Sequence, residues 1–596
     1  MEKKSGWKRF QKIKLSSRSL SSRAKKAETA TTRHAHRFVL SRLKNLSDSR
    51  QAILSWLALV GLIIAAAAGQ LAVAVKEMST KSPVEGGTYS EGLVGEIATL
   101  NPLFATNSAE LAASKLIYSS LYDYDSTGSI RDDLASKLTV SKDKTEYDIE
   151  LRSDALWHDG KPVTVDDVIY TVESMKNPAV RATQASTWRG IDVSKVSQKV
   201  VRFKLPAAYA SFLHALTFPV LPAHLLEKLP QDAIRQNTFS ASPIGSGPFQ
   251  VKLLQSQNIP RKQKVVYLAA NSNYYRGVPK LKRFEIHAYS SRDDLKSALE
   301  TSDIIAAVDE GADIASQLPD RFAVHNQPIS SGVYAIFNNS SGILRDVRVR
   351  KALQLGTDTK KVLEALDIKG LELDSPILKS QLQGVKLSSK PSYNVSLARK
   401  LLDRSGWRQD GDTRIKNKKV LSLKMALIKD SRYEAAYKEL ARQWRELGVE
   451  VDATVFDSTK TTQSFAQTIL QSRSYDVLIN ELVLGADPDV YPYWHSSQAG
   501  ALGLNLSNYK NDVADYNLAT ARSAVDVKVR NEKYGRFVKQ WMSDAPAVAL
   551  YQSSMSYVTA PSARPSIKDT VTPMMSDRFS DVLYWTADRS NVYTTP

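Results

Sequence analysis

The sequence predicts an α/β protein of two or more lobes, carried behind a single apolar helix. Three observations predict it. Beyond residue 88 the apolar residues switch repeatedly between the alternation of a strand and the three-to-four spacing of a helix, the pattern of mixed sheets covered by helices. At 596 residues, 42% hydrophobic and 24% charged, the chain has globular composition. It is too long for one core, since cores stop growing at roughly 250–300 residues. Residues 53–75, ILSWLALVGLIIAAAAGQLAVAV, carry no charge and only Ser55 and Gln70 as clearly polar interruptions.

A helix over 53–75 reaches roughly 35 Å, enough to cross a hydrocarbon core of about 30 Å. The first fifty residues hold fifteen Lys and Arg against Glu2, Glu28 and Asp48, so they supply +12 of the formal net charge of +19. The far flank is mixed: Lys76, Glu77, Lys81, Glu85. This asymmetry places the N-terminus in the cytoplasm and the rest of the chain outside the cell. The basicity is therefore a property of the tail, which reads as a segment drawn to anionic inner-leaflet lipid and not as a nucleic-acid site. Ala72-Val73-Ala74 offers small residues at signal-peptidase spacing, but the apolar run exceeds the roughly 7–15 residues of a signal core, and an uncleaved anchor is expected. With no cysteine there is neither a disulfide nor a thiol for lipid attachment, which leaves the helix as the means of staying at the membrane.

Residues 76–87, KEMSTKSPVEGG, read as a flexible spacer, and the fold begins at Thr88. TYSEGLVGEIATLNPLF reads as a strand and a turn. Residues 110–122 form a helical pattern through Ala112, Ala113, Leu116, Ile117 and Leu121. Residues 138–152 pattern as a hairpin around Ser-Lys-Asp-Lys; Ser141 and Lys144 have the spacing of a nucleophile motif but belong to the exposed turn. In ALWHDGKPVTVDDV, residues 155–168, Asp159-Gly160 is a turn dipeptide and Thr164 with Asp166-Asp167 caps the helix that follows. Turn and cap chemistry explains His158 and the acidic pair better than a metal site. No histidine sits in an HExxH arrangement or beside cysteines, so zinc has no support.

In PIGSGPF, residues 243–249, Gly245 and Gly247 are expected to take backbone conformations closed to other residues, between stiffening Pro243 and Pro248. The turn is neither a phosphate loop nor a nucleophile elbow, since no GK[ST] follows and no G-x-S-x-G is present. Residues 281–289 alternate as a strand and 293–299 begin a helix. Helical patterns follow at 345–355 and 358–366, and residues 433–447 lead through Gly448 into the strand VEVDATVF. The apolar strand YDVLINELVL, residues 475–484, runs into Gly485-Ala486-Asp487-Pro488-Asp489. Positions beyond the carboxyl end of a strand in an open α/β sheet are favoured for ligands, while an Asp-Pro turn with a capping carboxylate explains these residues as well. Tyr491, Tyr493 and Trp494 read first as core packing.

Taken in order, these blocks resemble the family 5 extracellular solute-binding proteins, the peptide and nickel receptors of ABC importers. The resemblance is carried by WHDGKPVTVDDV and by PIGSGPF. It is also carried by Asn101-Pro102-Leu103-Phe104, by ANSNYYRGVPKL at 270–281, by Phe337-Asn338-Asn339, and by DVRVRKAL at 346–353. Gly406-Trp407, GADPDVYPYWHS at 485–496 and DAPAVALY at 544–551 complete it. It implies a two-lobed, type II periplasmic-binding-protein-like α/β fold, which the transmembrane helix read from residues 53–75 precedes. The implied order is a cytoplasmic tail 1–50, membrane helix 51–75, linker 76–87, lobe 1 at 88–289 with an extra subdomain about 121–204, lobe 2 at 290–543, and a return to lobe 1 at 544–596. The crossings would fall near Tyr289 and Asp544.

The resemblance further implies a receptor and not an enzyme, without cofactor or metal, that takes an oligopeptide or dipeptide to a permease and ATPase in other chains. Asp487 would pair with the ligand's α-ammonium group, and Gly485, Ala486, Tyr491 and Trp494 complete the candidate ligand-binding set. One departure is that Leu482-Val483-Leu484 stands where peptide-binding members often carry a Trp. A metal chelate, a sugar or an opine-like ligand stays open as an alternative, as does a sensor or adhesin that has lost transport. No nucleophile, base and oxyanion constellation supports a hydrolase. Residues 88–596 are expected to form a soluble monomer.

Overall fold

The computed structural model describes residues 50–593 except 84, 186, 259–262, 310–313, 315–316, 368–370, 383, 386, 388–389, 458–464, 502, 568–570 and 588. Apart from Arg50, the basic tail lies outside the described residues. The described residues form two compact units, one of 50–82 with 590–593 and one of 83–589.

In the first unit, helix α1 (Arg50–Met78) runs for 29 residues, about 43 Å at 1.5 Å per residue. Its segment Ile53–Leu71 is apolar enough to cross a membrane and no part of it is buried. Trp56 is 70% exposed and Leu62 69%. Length and composition fit a membrane anchor or a signal sequence alike. Helix continues to Met78, and Ser79–Pro83 then forms a two-stranded sheet with Arg589–Tyr593. The stretch expected as a flexible spacer is thus regular up to Pro83, because its strand partner comes from the other end of the chain.

The second unit is built on one sheet of ten strands. In chain order these are β1 (Thr88–Val94), β2 (Phe249–Gln257), β3 (Gln263–Ala270), β4 (Arg283–Tyr289), β5 (Ala306–Asp309), β6 (Ala323–Phe337), β7 (Ser422–Ile428), β8 (Glu450–Phe456), β9 (Val477–Val483) and β10 (Ala547–Thr559). Their order across the sheet is β8-β7-β9-β6-β10-β5-β1-β4-β3-β2. β1 is parallel to β4 and β5, and β7 is parallel to β8 and β9. Two antiparallel strands of 15 and 13 residues, β6 and β10, join these parallel halves. Their ladder is interrupted between Pro328 and Gly332, where Pro328 has no N–H to give.

The first half is β1 to β5 with the inner parts of β6 and β10; the second is β7 to β9 with their outer parts. Tyr289 ends β4, and the chain after it stays in the first half. Helix α2 (Arg292–Glu300) carries it to β5, parallel to β1, and the passage to the second half comes beyond Pro328 in β6. The return lies inside β10, past Tyr551, and not at Asp544. The reason is that a buried parallel strand needs a crossover helix, so residues 290–309 complete a unit of the first half before the chain can leave it. In the second half both faces of the sheet are covered. Val333, Ala335 and Phe337 of β6 enter one core and Tyr334 and Ile336 the other, the period-two alternation of a strand.

A four-stranded antiparallel sheet stands on the first half, ordered Ala135–Val140, Glu146–Leu151, Val200–Lys204, Asp192–Lys195. Its first two strands are the hairpin read at 138–152, and Ser141 and Lys144 sit in its turn, where Ser141 Oγ donates to Asp143 at 2.5 Å. Thr164 and Asp167 form the capping box of helix α3 (Val165–Lys176). Asp167 also accepts from Ala223 N at 2.8 Å and Trp157 Nε1 at 3.2 Å, so it fastens a second segment. His158 meets the glycine turn. Gly245 N donates to its Nδ1 at 3.2 Å, and its Nε2 lies 3.0 Å from the Gly247 carbonyl oxygen. The ring is therefore held neutral with the proton on Nε2, and burial pushes its pKa down to about 4. Neither Gly245 nor Gly247 has positive φ. Their need for glycine is close approach: a Cβ on Gly245 would stand 2.0 Å from the Ile117 carbonyl oxygen, and one on Gly247 2.7 Å from the Ile117 carbonyl carbon.

Candidate functional site

The parallel strands of the two halves end at one cavity of about 590 Å³. Leu93 and Val94 end β1, Val308 and Asp309 end β5, and Arg292 opens α2 directly after β4. From the second half come Lys429, Asp430, Ser431 and Glu434, which follow β7 into helix α4 (Ser431–Arg445), and Asp457, which follows β8. Carboxyl ends of parallel strands are where an open α/β sheet leaves a crevice between its crossovers. The volume lies within the roughly 300–1,000 Å³ of small-molecule pockets.

Charge is divided unevenly in this cavity. Asp309, Asp430, Glu434 and Asp457 face two cations, Arg292 and Lys429. Lys429 Nζ is committed to Asp457 at 2.9 Å, and that hydrogen bond raises its pKa. Arg292 reaches both halves, with Nε 3.7 Å from Asp309 and Nη2 3.7 Å from Asp430. Asp430 also caps α4, accepting from Arg432 N at 2.9 Å and Tyr433 N at 3.3 Å. Glu434, half-buried on the first turn of α4, accepts no hydrogen bond from a described residue.

The loop after β9 makes a second meeting of the halves. Gly485, with φ +68, turns the chain out of β9, and its N–H donates to Ser330 O at 3.0 Å. Gln381 Nε2 donates to the carbonyl oxygens of Gly485 and Asp487, at 2.8 and 3.2 Å. Asp487 is only 10% exposed at its side chain and is already paired: Arg530, from the helix Val527–Asp544, donates to both carboxylate oxygens. Ser211 of the first half donates to Asp487 at 2.6 Å and accepts from Arg530 at 2.8 Å, and His214 stands 3.7 Å away. Burial holds the His214 pKa below its ordinary value, against the pull of Asp487.

Beside this pair, Arg522 lies 3.2 Å from Asp489, and its guanidinium stacks 4.5 Å from the Tyr209 ring and 4.8 Å from the Tyr491 ring. Ala210 N donates to Arg522 O at 2.9 Å. Burial raises the Asp489 carboxyl pKa, with Arg522 opposing.

Of the residues expected at the site, Gly485, Ala486 and Asp487 therefore share one loop, Tyr491 opens the short helix Tyr491–Trp494 after it, and none of them lines the cavity. A ligand ammonium would have to displace Arg530 to reach Asp487. Trp494, 1% exposed, packs edge-on against Trp541 and Tyr334 in the core, as the reading of that aromatic cluster as packing requires. The cavity residues went unread in the sequence, although the signal that singled out Asp487 applies to them: IKDSRYE also follows an apolar strand and opens a helix.

Known proteins share both sequence and shape with this chain. The sequence profile described as "Bacterial extracellular solute-binding proteins, family 5 Middle" matches residues 129–502. The oligopeptide-binding protein AppA of Bacillus subtilis is 25% identical over 489 residues, 79% of this chain and 87% of the relative. NikZ from Campylobacter jejuni in complex with Ni(L-His) superposes with a TM-score of 0.72 at 24% identity, over 84% of this chain and 99% of that one. The structure of Bacillus subtilis AppA in complex with a nonapeptide does so with a TM-score of 0.70 at 23% identity, over 85% and 100%.

Proposed function

Because the chain belongs to the bacterial extracellular solute-binding proteins of family 5 and has the two-lobed type II periplasmic-binding fold, we propose that it is a membrane-anchored peptide receptor of an ABC importer. Residues 53–75 hold it in the membrane with the N-terminus in the cytoplasm. A peptide enters the cavity between the halves and passes to a permease whose ATPase lies in other chains. The observation that carries this reading is the 590 Å³ cavity at the carboxyl ends of strands from both halves. The family and the oligopeptide-binding relative support the class of ligand.

No bond is made or broken in this function. A ligand that touches both halves favours the state in which they are closed on it, by as much as its contacts in that state exceed those in the open one. Only β6 and β10 join the halves in the principal sheet, and their ladder is broken at Pro328–Gly332. Within that gap Ile329 and Ser330 bond instead to the Gln552 side chain, Thr572 and Gly485, so the main chains of the two strands are not tied to each other there. Main-chain hydrogen bonds in the manner of an added strand, indifferent to the ligand's side chains, are how the cavity holds a peptide. At the rim, Asp487 acts in closure, holding Ser211 of the opposite half.

The test is made on the full chain in detergent. Native mass spectrometry should find a short peptide bound, and adding that peptide should raise the unfolding temperature with its concentration. A metal chelate or a sugar in its place overturns the peptide class. Protease added to intact cells should digest the chain beyond residue 88 and spare the basic tail; a mature protein beginning near Val75 overturns the anchor.

A further inference from the structure

We infer that the second half carries a further binding site, separate from the cavity between the halves, for a small anion that bears hydroxyl groups, of the class of a polyol phosphate. The site is a cavity of about 620 Å³ at the far end of β6. Asn339 and Ser340 on its wall come just after Phe337, the last residue of that strand, and Gly332 to Phe337 spans roughly 17 Å of extended chain away from the crossing. The two cavities have no residue in common. This one therefore stands whether or not the other holds a peptide.

Among the described residues, Arg345, Arg350 and Lys510 face one carboxylate in its lining, Asp544. Arg350, 6% exposed, donates to main-chain carbonyls and to no carboxylate: to Asp544 O at 2.7 Å and Ala545 O at 3.2 Å, which close the helix Val527–Asp544, and to Leu344 O at 2.8 Å. Asp544 Oδ2 accepts from Tyr509 at 2.6 Å and from Asn511 and Gln540 at 3.0 Å. The neighbouring carboxylates Asp346 and Asp515 are held by Arg348 and Ser496. Arg345 and Lys510 are exposed, and neither side chain has a hydrogen bond or ion pair among the described residues. An anion placed between them gains charge-assisted hydrogen bonds. The wall also holds an acceptor in want of a proton: Asn339 Oδ1 is buried and accepts from no described residue. Leaving such a group unmatched costs free energy that a ligand hydroxyl returns. A bare anion leaves Asn339 as it was and a neutral polyol leaves the cations, whereas a polyol phosphate meets both.

The test titrates the full chain in nonionic detergent, by calorimetry, with glycerol phosphate, inorganic phosphate, glycerol and the diester glycerophosphoglycerol. Glycerol phosphate should bind saturably and about ten-fold more tightly than inorganic phosphate, glycerol should not bind, and raised salt should weaken the binding. Arg345→Glu and Lys510→Glu, both at exposed positions, should each weaken it about ten-fold or more. Asn339→Ala should remove most of the advantage over inorganic phosphate and leave the unfolding temperature nearly unchanged, since Oδ1 has no folded-state partner to lose. Tighter binding of the diester supports the site and makes a phosphodiester, as in a lipid headgroup, its source; tighter binding of the monoester supports it with a free phosphate ester as the source. The site is overturned if no anion binds saturably, if glycerol or inorganic phosphate binds as tightly as glycerol phosphate, or if the affinity is untouched in both Arg345→Glu and Lys510→Glu. None of these outcomes bears on the peptide reading, which rests on the other cavity.

Discussion

The two halves meet through charges in two places, and the charges are handled oppositely. At the rim, Asp487, Arg530 and Ser211 bond to one another in a closed set, with side chains of the ion pair 10% and 14% exposed. In the cavity Arg292 stands 3.7 Å from both Asp309 and Asp430, and the Glu434 side chain accepts nothing from a described residue. Satisfied charges define a geometry and have little left to offer a ligand. Unsatisfied ones retain their hydration and can exchange it for a better partner. The difference separates the residues that hold the closed form from those available to recognise what is inside it.

Four measurements sharpen or break that contrast. The largest effect belongs to a benchmark inside the first half, where Arg578 is paired with fully buried Glu91 and Tyr557 donates to the same carboxylate at 2.6 Å. Arg578→Ala strands a charge without water and should cost about 3–5 kcal/mol in denaturant unfolding of the full chain. A loss below about 1 kcal/mol would mean that burial of a pair is no guide to its weight in this protein.

Acid comes next. His158 and His214 both have pKa values lowered by burial, His158 to about 4, so the unfolded chain takes up protons that the folded one refuses. Their contribution to stability is complete above pH of about 6.5 and is lost as the pH falls, for His158 through about 4. The loss from His158 is roughly 3 kcal/mol by 1.36 kcal/mol per unit. His158→Gln should flatten the stability–pH curve between about 6.5 and 4, and His214→Gln should flatten it less. An unchanged curve in both would place the acid sensitivity elsewhere.

At the rim, Arg530→Ala leaves Asp487 unpaired next to Ser211 and should cost about 2–3 kcal/mol, less than the benchmark because water reaches the pair. A double-mutant cycle with Asp487→Asn should recover a coupling of about 1 kcal/mol or more, as for neighbours in one network. Additive losses would show that the two residues do not act together. The smallest effect is expected in the cavity. Glu434→Gln should change stability by no more than about 0.5 kcal/mol, since no folded-state partner is lost. If it destabilises as much as Arg530→Ala, the cavity is a structural contact and the contrast between the two places fails.

The sequence by itself determined the α/β class, the hairpin at 138–152, the capping box at Thr164 and Asp167, the apolar helix, and the motifs that mark the family. These rest on contacts a few residues apart: Thr164 and Asp167 are separated by three, and a strand or helix period is visible in its own segment. Three things were decided only by tertiary structure. The chain leaves the first half at β6 and not near Tyr289, because β5 first pairs with β1. Gly245 and Gly247 are glycine for the sake of Ile117, far away in sequence, and not for their own dihedral angles. Asp487, placed correctly after its strand, found Arg530 43 residues on and Ser211 276 residues back, while the ends of β1, β4, β5, β7 and β8 supplied the cavity. A charge at a strand end is legible in sequence, but whether it meets a partner or faces open space depends on which distant segments the sheet order brings beside it.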